Sequence, residues 1–371
     1  MRATDTVARL GGDEFILLIE EVTQLEEVAV IARQLLQLLQ QPYLIAERRL
    51  FISASMGISL HPGHGRTGEE LIRNADAAMY EAKAAGKNTY RIYTASLTEA
   101  ALQRLALEND LRGALEREEL ELHYQPQCEA GSGRIVAFEA LIRWRHRASG
   151  RFMPPDSFLP VAEELGLMIA IGDWVLARAC RDCGDWRRAG FPEMRVAVNL
   201  AGVQLEQGDI LAATRSALAN AALPGDALEL EVTESSAMQR LDEIRQTLFE
   251  LRDLGVTLAI DDFGTGYSSL SYLKRLPFTT LKIDRSFVGD IPEDANDMAI
   301  AHAIVVLAHT LQMSVIAEGV ETPAQLTFLQ GVDCELIQGY LFSRALPPEE
   351  ILPLLRRDQG RIVATDARAV A

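Results

Sequence analysis

Two adjacent aspartates, Asp261 and Asp262, close the apolar run of "GVTLAIDDFGTGYSSL" and lead into a glycine-containing turn. Two carboxylates about 4 Å apart repel by roughly 4 kcal/mol at the effective dielectric of a protein surface, so the pair calls for a bound cation or a shared proton. Polar residues recur inside or at the ends of other short apolar runs: Gln125, Glu139, Asn199, Glu231 with Glu234, Lys282 with Asp284, Glu318 with Glu321, and Gln338. Hard oxygen ligands and one Asn carbonyl, with no convincing histidine or cysteine ligand set, point to Mg²⁺ or Mn²⁺ rather than zinc. Two such ions close together lower the pKa of a water and stabilise both the attacking and leaving oxygens at phosphorus. Phosphodiester hydrolysis is the reaction class this implies. Lys282 would orient the water or offset phosphate charge, Glu318 would accept its proton, and Arg143 would reach a phosphate oxygen.

That chemistry requires the acids to converge, and the chain carries elements that would bring them together. Eight apolar runs, "LELHYQP", "IVAFEALIRW", "RVAVNLA", "LELEVTES", "VTLAIDDF", "TTLKIDRSF", "SVIAEGVE" and "LIQGYLFSR", recur with helical patterns between them. Such alternation implies parallel pairing, and eight repeats close a sheet into a barrel with its active site at the C-terminal strand ends. "CEAGSGR" between the first two runs is too short for a helical crossover, so one antiparallel strand is expected at the start.

Ahead of these runs lies a smaller module. "VARLGGDEFILLIE" reads as two strands around Gly11 and Gly12, "LEEVAVIARQLLQLLQQPY" as an amphipathic helix, and "RLFISASMGISLHP" as a β run. "GEELIRNADAAMYEAKAAGKNTYRIY" reads as a helix stopped at Gly86 and then a strand, and the charged "LTEAALQRLALENDLRGALEREEL" as a stiff helical connector.

The 371 residues suit two modules, and 48% apolar with 24% charged residues is globular composition. A net charge of −17 argues against polymeric nucleic acid or an anionic membrane surface as the main partner. Four cysteines are too sparse for a disulfide framework, and Cys180 and Cys183 sit in a helical pattern as packing residues. No apolar run approaches the roughly 18 residues of a membrane helix. A soluble, cytoplasmic chain is expected, although a longer parent could be membrane-anchored.

The motifs "YQP", "EALIRW", "VNL", "EVTES", "DDFGTGYSSL", "LKIDRSF", "AEGVET" and "QGYLFSR" stand in an order that resembles EAL domains, the phosphodiesterases that linearise cyclic di-GMP. The resemblance implies an α/β fold, a modified TIM (β/α)8 barrel with one antiparallel strand. It implies that Glu139, Asn199, Glu231 and Asp261 bind one Mg²⁺ or Mn²⁺ ion and that Asp261 and Asp262 share a second, two per active site. Lys282 and Glu318 would handle the water, and Gln125, Arg143 and Gln338 would contact substrate. Glu234 would brace the loop after Asp262, with Asp284 and Glu321 as supporting groups. The glycines and serines of that loop suggest mobility, and the resemblance places it near a homodimer contact.

"RLGGDEF" and "ADAAMYEAKAAGKN" resemble the C-terminal half of a GGDEF domain, the diguanylate cyclase, with Arg2 and Asp5 as a remnant of its product-inhibition motif. Asp13 would be an incomplete metal site, so a partial α+β fragment without cyclase activity is expected. The organisation implied is a partial GGDEF domain over 1–95, a connector over 96–118 that includes the start of the EAL domain, the EAL domain over 103–358, and a disordered tail over 359–371. The function expected is hydrolysis of cyclic di-GMP to linear pGpG in bacterial second-messenger signalling. The alternative is a receptor that binds cyclic di-GMP without turnover and signals through the connector.

Overall fold

Strands that are buried on both faces must supply apolar residues to the helices outside while leaving alternate positions free for something else, and this alternation builds the larger part of the chain. The computed structural model describes residues 5–362 apart from 21, 23–24, 46–47, 51, 148, 240, 266–272 and 358–359. Two compact units divide it, Met1–Asn109 and Asp110–Ala371. The boundary falls inside a single helix, Ala95–Arg112.

In the first unit, β1 (Thr6–Gly11) and β2 (Glu14–Leu18) form an antiparallel hairpin. Gly12 takes φ 51° at its turn, a left-handed conformation that costs glycine little. β3 (Tyr43–Ile45) pairs with β4 (Arg48–Leu50), and β5 (Met56–Ile58) pairs in parallel with β6 (Tyr90–Ile92). The expected single β run "RLFISASMGISLHP" is thus divided between β4 and β5. Helices Leu25–Leu39 and Gly68–Ala84 complete the unit, the second entered through a Thr67–Glu70 capping box. Among the described residues its three sheets have two strands each, and apolar residues stay exposed on them: Val7, Leu10, Phe15, Leu18 and Leu44 are all more than half exposed.

The second unit is the expected barrel. Its strands are β7 (Leu120–Glu129), β8 (Ile135–His146), β10 (Arg195–Leu200), β11 (Leu228–Thr233), β12 (Thr257–Phe263), β13 (Thr280–Ile283), β14 (Ser314–Ala317) and β15 (Leu336–Ile337). Neighbours from β8 and β10 round to β15 pair in parallel, and β7 closes the ring antiparallel to both β15 and β8. The strand expected to run antiparallel is this one. β9 (Arg151–Met153) extends the β8 edge outside the ring.

Along β11, Leu228, Leu230 and Val232 are fully buried, while Glu229 and Glu231 alternate with them on the opposite face. β13 repeats the pattern with Leu281 and Ile283 against Thr280 and Lys282. Aliphatic side chains therefore bind the barrel to its helices, and the interior is left to polar groups, which are tolerable there only when partnered.

Residues 360–362, read from sequence as part of the tail, instead pair with the 133–135 segment: Ile135 N–H donates to the Gly360 carbonyl at 2.8 Å and Ile362 N–H to the Gly133 carbonyl at 2.9 Å. The rest of the 359–371 segment other than 360–362 lies outside the described residues. Among the described residues, no helix is long and apolar enough to cross a membrane.

Exposed apolar sheet and thin local packing make the first unit the easier substrate for a protease. Limited proteolysis read by mass spectrometry is expected to cut within residues 1–95 while the 110–357 region survives; equal survival of both would contradict this.

Candidate functional site

Lys282 stands at the centre of the barrel with no solvent exposure. Its Nζ lies 2.7 Å from Glu231 Oε2, 2.7 Å from Glu318 Oε1, 3.2 Å from Asp261 Oδ1 and 3.8 Å from Glu139 Oε1. Five strands therefore deliver one ammonium and four carboxylates to a single point. Burial disfavours the Lys282 charge, yet the surrounding carboxylates outweigh it and raise its pKa well above the ordinary value.

One cation cannot neutralise four buried anions, and protonation makes up part of the difference. Burial pushes the Glu231 carboxyl well up despite Lys282, and the charges of Glu139 and Asp261 add to the rise. Burial likewise lifts Glu318 to about 8, against the pull of Lys282. Glu139 goes the other way. Burial raises it, but Lys282 and the donors Gln338 and Asn199 hold it below the usual carboxylate range. Asn199 Nδ2 donates to Glu139 Oε1 at 2.6 Å, so the one amide among the expected ligands faces the first of the acids.

The adjacent aspartates occupy a break in the sheet. β12 pairs with β13 at Ile260↔Leu281 and resumes at Phe263↔Ile283, so β12 carries one extra residue across Asp261–Asp262. Asp262 takes φ 53°, outside strand geometry. In a regular strand the two side chains would point to opposite faces; here Asp261, Asp262 and Glu318 offer carboxylate oxygens that all lie within 4.8 Å of one another. Burial, followed by the charges of Asp261 and Asp284, raises the Asp262 carboxyl.

The next residues are clamped. Gly264 N–H donates to Glu234 Oε2 at 2.8 Å, and at φ 100° a Cβ on Gly264 would lie 2.8 Å from the Phe287 ring. Glu234 thus holds the chain leaving Asp262, while residues 266–272, the greater part of the expected mobile loop, lie outside the described residues.

A glutamine chain lines the β7 side. Gln338 Nε2 donates to Glu139 Oε2 and, at 3.3 Å, to Gln125 Oε1; Gln125 Nε2 donates to the Ser343 carbonyl at 3.2 Å. Arg143 lies four residues beyond Glu139 on β8 and donates to the Ile142 carbonyl at 2.9 Å; burial lowers its pKa, with Tyr340 and Glu139 opposing. Asp284 accepts from Ser286 N–H at 3.0 Å and faces Asp262. Glu321 is exposed and gives its backbone N–H to Gln325 Oε1 at 2.7 Å. Asp5 precedes β1, and Arg2 lies outside the described residues.

Sequence reasoning passed over Gln127 and Glu229, both buried. Each sits two residues from a named site residue, Gln125 or Glu231, and strand alternation could have flagged them. Thr280 Oγ1 donates to Glu229 Oε2 at 2.7 Å, one layer below Lys282. The four cysteines are free and buried, with thiols pushed up to about 12, which fits packing rather than redox chemistry.

The EAL domain family pattern matches residues 108–345, and the pattern described as "Diguanylate cyclase, GGDEF domain" matches residues 1–89. The chain is 47% identical over 352 residues to the Pseudomonas aeruginosa bifunctional diguanylate cyclase/cyclic di-GMP phosphodiesterase MucR, covering 95% of this chain and 51% of that one. It is 46% identical over 356 residues to the cyclic di-GMP phosphodiesterase NbdA of the same organism, covering 96% and 45%. The chain thus spans about half the length of these curated relatives. The solved PaMucR phosphodiesterase in complex with c-di-GMP superposes with TM-score 0.65 at 46% identity, over 67% of this chain and all of that one.

Between the ordinary carboxyl value of 4.5 and about 8, the folded chain keeps a proton on Glu318 that the unfolded chain has released. Raising the pH through that window therefore removes stability. Thermal unfolding of chelator-treated protein is expected at falling temperature from pH 5 to pH 8, and Mg²⁺ or Mn²⁺ should recover most of the loss at pH 8. A melting temperature that rises across this range would contradict the arrangement.

Proposed function

The chain belongs to the EAL domain family, and from that premise we propose that it hydrolyses cyclic di-GMP to linear pGpG with a pair of divalent cations. The observation that carries the reading is the gathering of Glu139, Glu231, Asp261 and Glu318 around the buried Lys282, with Asp262 turned toward the same point by the β12 bulge. The likeness to cyclic di-GMP phosphodiesterases over the whole barrel supports the substrate.

The donor set fits hard cations. Asp261, Asp262 and Glu318 already bring oxygens within 4.8 Å of one another, and the crowding keeps protons on acids that a cation would displace. Glu139, Asn199, Glu231 and Asp261 would hold one Mg²⁺ or Mn²⁺, and Asp261 with Asp262 the second. When bound, the ions supply Lewis-acid activation of a water and neutralise phosphate charge.

The chain's own groups do the rest. Glu318, poised near neutrality, accepts the proton of the attacking water. Lys282, fixed by its four partners, stays charged and orients that water while offsetting the negative charge that develops at phosphorus. Gln125, Gln338 and Arg143 are assigned to the phosphodiester, Arg143 as a hydrogen-bond donor to a phosphate oxygen. Glu234 holds the turn that presents Asp262.

The same reading includes a homodimer through the barrel. From Met298 to Thr310 the helix Ala295–Thr310 carries no Lys, Arg, Asp or Glu, and Ile300 and Val306 are 38% and 52% exposed. An uncharged outward face of this kind suits a second copy. Val306→Asp is expected to shift the sedimentation profile toward monomer. A cytoplasmic setting completes the proposal.

Incubation with cyclic di-GMP and Mg²⁺ or Mn²⁺ is expected to yield pGpG, and chelation to stop it. Glu139→Ala and Glu318→Gln are each expected to lower kcat at least 100-fold, with cyclic di-GMP binding retained by Glu318→Gln. Binding of cyclic di-GMP with no pGpG formed under any metal would replace the enzyme by a receptor.

A further inference from the structure

Gln127 is 1% exposed, on the inner face of β7 two residues after Gln125. Its Nε2 donates to Gln338 Oε1 at 3.1 Å and to Glu231 Oε1 at 3.4 Å. The direction of these bonds is forced from the far end. Gln338 turns its NH₂ toward Glu139 Oε2 and Gln125 Oε1, which leaves the Gln338 carbonyl facing the opposite way and in need of a donor. Gln127 supplies that donor. If the Gln338 amide turned over, its oxygen would meet the Glu139 carboxylate and its NH₂ would meet the NH₂ of Gln127, so both ends oppose the rotation.

The same Gln127 nitrogen fixes a second group. Glu231 Oε2 is taken by Lys282 at 2.7 Å, and Gln127 addresses the remaining oxygen, Oε1. With one oxygen tied from each side, the Glu231 carboxylate cannot swivel freely about its Cγ–Cδ bond.

We propose that Gln127 is a positioning residue for the phosphodiester hydrolysis, a single amide that sets which way Gln338 faces and how Glu231 presents its oxygens. It lies behind the groups assigned to metal and substrate and acts through them. The inference rests on the function proposed above, but its primary readout does not: Gln127 should affect cation binding whether or not the bound cations support turnover.

The experiment uses the full chain, with Mn²⁺ alone as the first probe and cyclic di-GMP turnover as the second. Gln127→Leu removes the donor at similar volume, and Gln127→Met does so while keeping the unbranched length, so that one folded variant suffices. Partners of ligating side chains alter metal affinity 10–100-fold in other sites. Calorimetry, run well below the unfolding temperature of each protein, is therefore expected to show Mn²⁺ binding about 10-fold weaker. Turnover should show kcat reduced about 10-fold and KM for cyclic di-GMP changed less than twofold.

In a Gln338→Leu background, where the amide that Gln127 orients is gone, the further effect of Gln127→Leu on Mn²⁺ affinity should shrink to less than threefold. Mn²⁺ affinity within twofold of the parent in the single variants would overturn the proposal, and a loss of equal size in both backgrounds would overturn its Gln338 arm, because the bond from Gln127 to Glu231 persists without that amide. Should the parent chain bind Mn²⁺ but form no pGpG, the function proposed above fails, while the affinity comparison still decides the role of Gln127.

Discussion

The interior of this barrel is organised by a buried ammonium. A lysine with no exposure is tolerable only if its charge is met at close range, and Lys282 has carboxylate oxygens at 2.7, 2.7, 3.2 and 3.8 Å. The acids in turn depend on the lysine, because taking either partner of a buried ion pair away leaves an uncompensated charge that costs about 3–5 kcal/mol. The balance is nonetheless incomplete. One positive charge faces four carboxyl groups, so Glu231 and Glu318 are driven toward their protonated forms. The oxygens of Asp261, Asp262 and Glu318 are nonetheless gathered within 4.8 Å of one another.

Geometry around the lysine comes from two departures from regular structure. The bulge in β12 brings the carboxylate oxygens of consecutive aspartates within 4.8 Å of each other, and the chain beyond it is held by the Glu234 bond to Gly264, with the Phe287 ring packed where a Cβ would otherwise sit. A left-handed Asp262 is costly for a residue with a side chain, of order 1–2 kcal/mol, and persists because the neighbours leave the chain no other course. On the opposite wall, antiparallel β7 contributes amides in place of acids. Gln125 and Gln127 supply donors and acceptors without adding charge, which relieves an interior already too negative.

Much of this was legible from the residues in order. Eight apolar runs with polar residues at their ends gave the barrel, and the short link between the first two gave the antiparallel β7. The acids, the asparagine and the lysine were identifiable because buried strands rarely carry such groups without a purpose. In the first unit, one expected β run proved to be two strands in different sheets, since local β propensity says nothing about pairing partners. Residues 360–362 looked like tail because three residues have no periodicity; their order comes from backbone bonds to the 133–135 segment, distant in sequence.

The sequence by itself determined the inventory: which side chains are present, how they alternate along each strand, and therefore which chemistry the chain is equipped to perform. Tertiary structure alone decided the distances, the extra residue that turns Asp262 toward Asp261, and the polarity of the Gln127–Gln338–Glu139 chain. The physical reason is that alternation along a strand is a local property of the backbone. Register between strands, closure of the ring and the direction of a hydrogen bond depend on partners far apart in sequence, 211 positions in the case of Gln127 and Gln338.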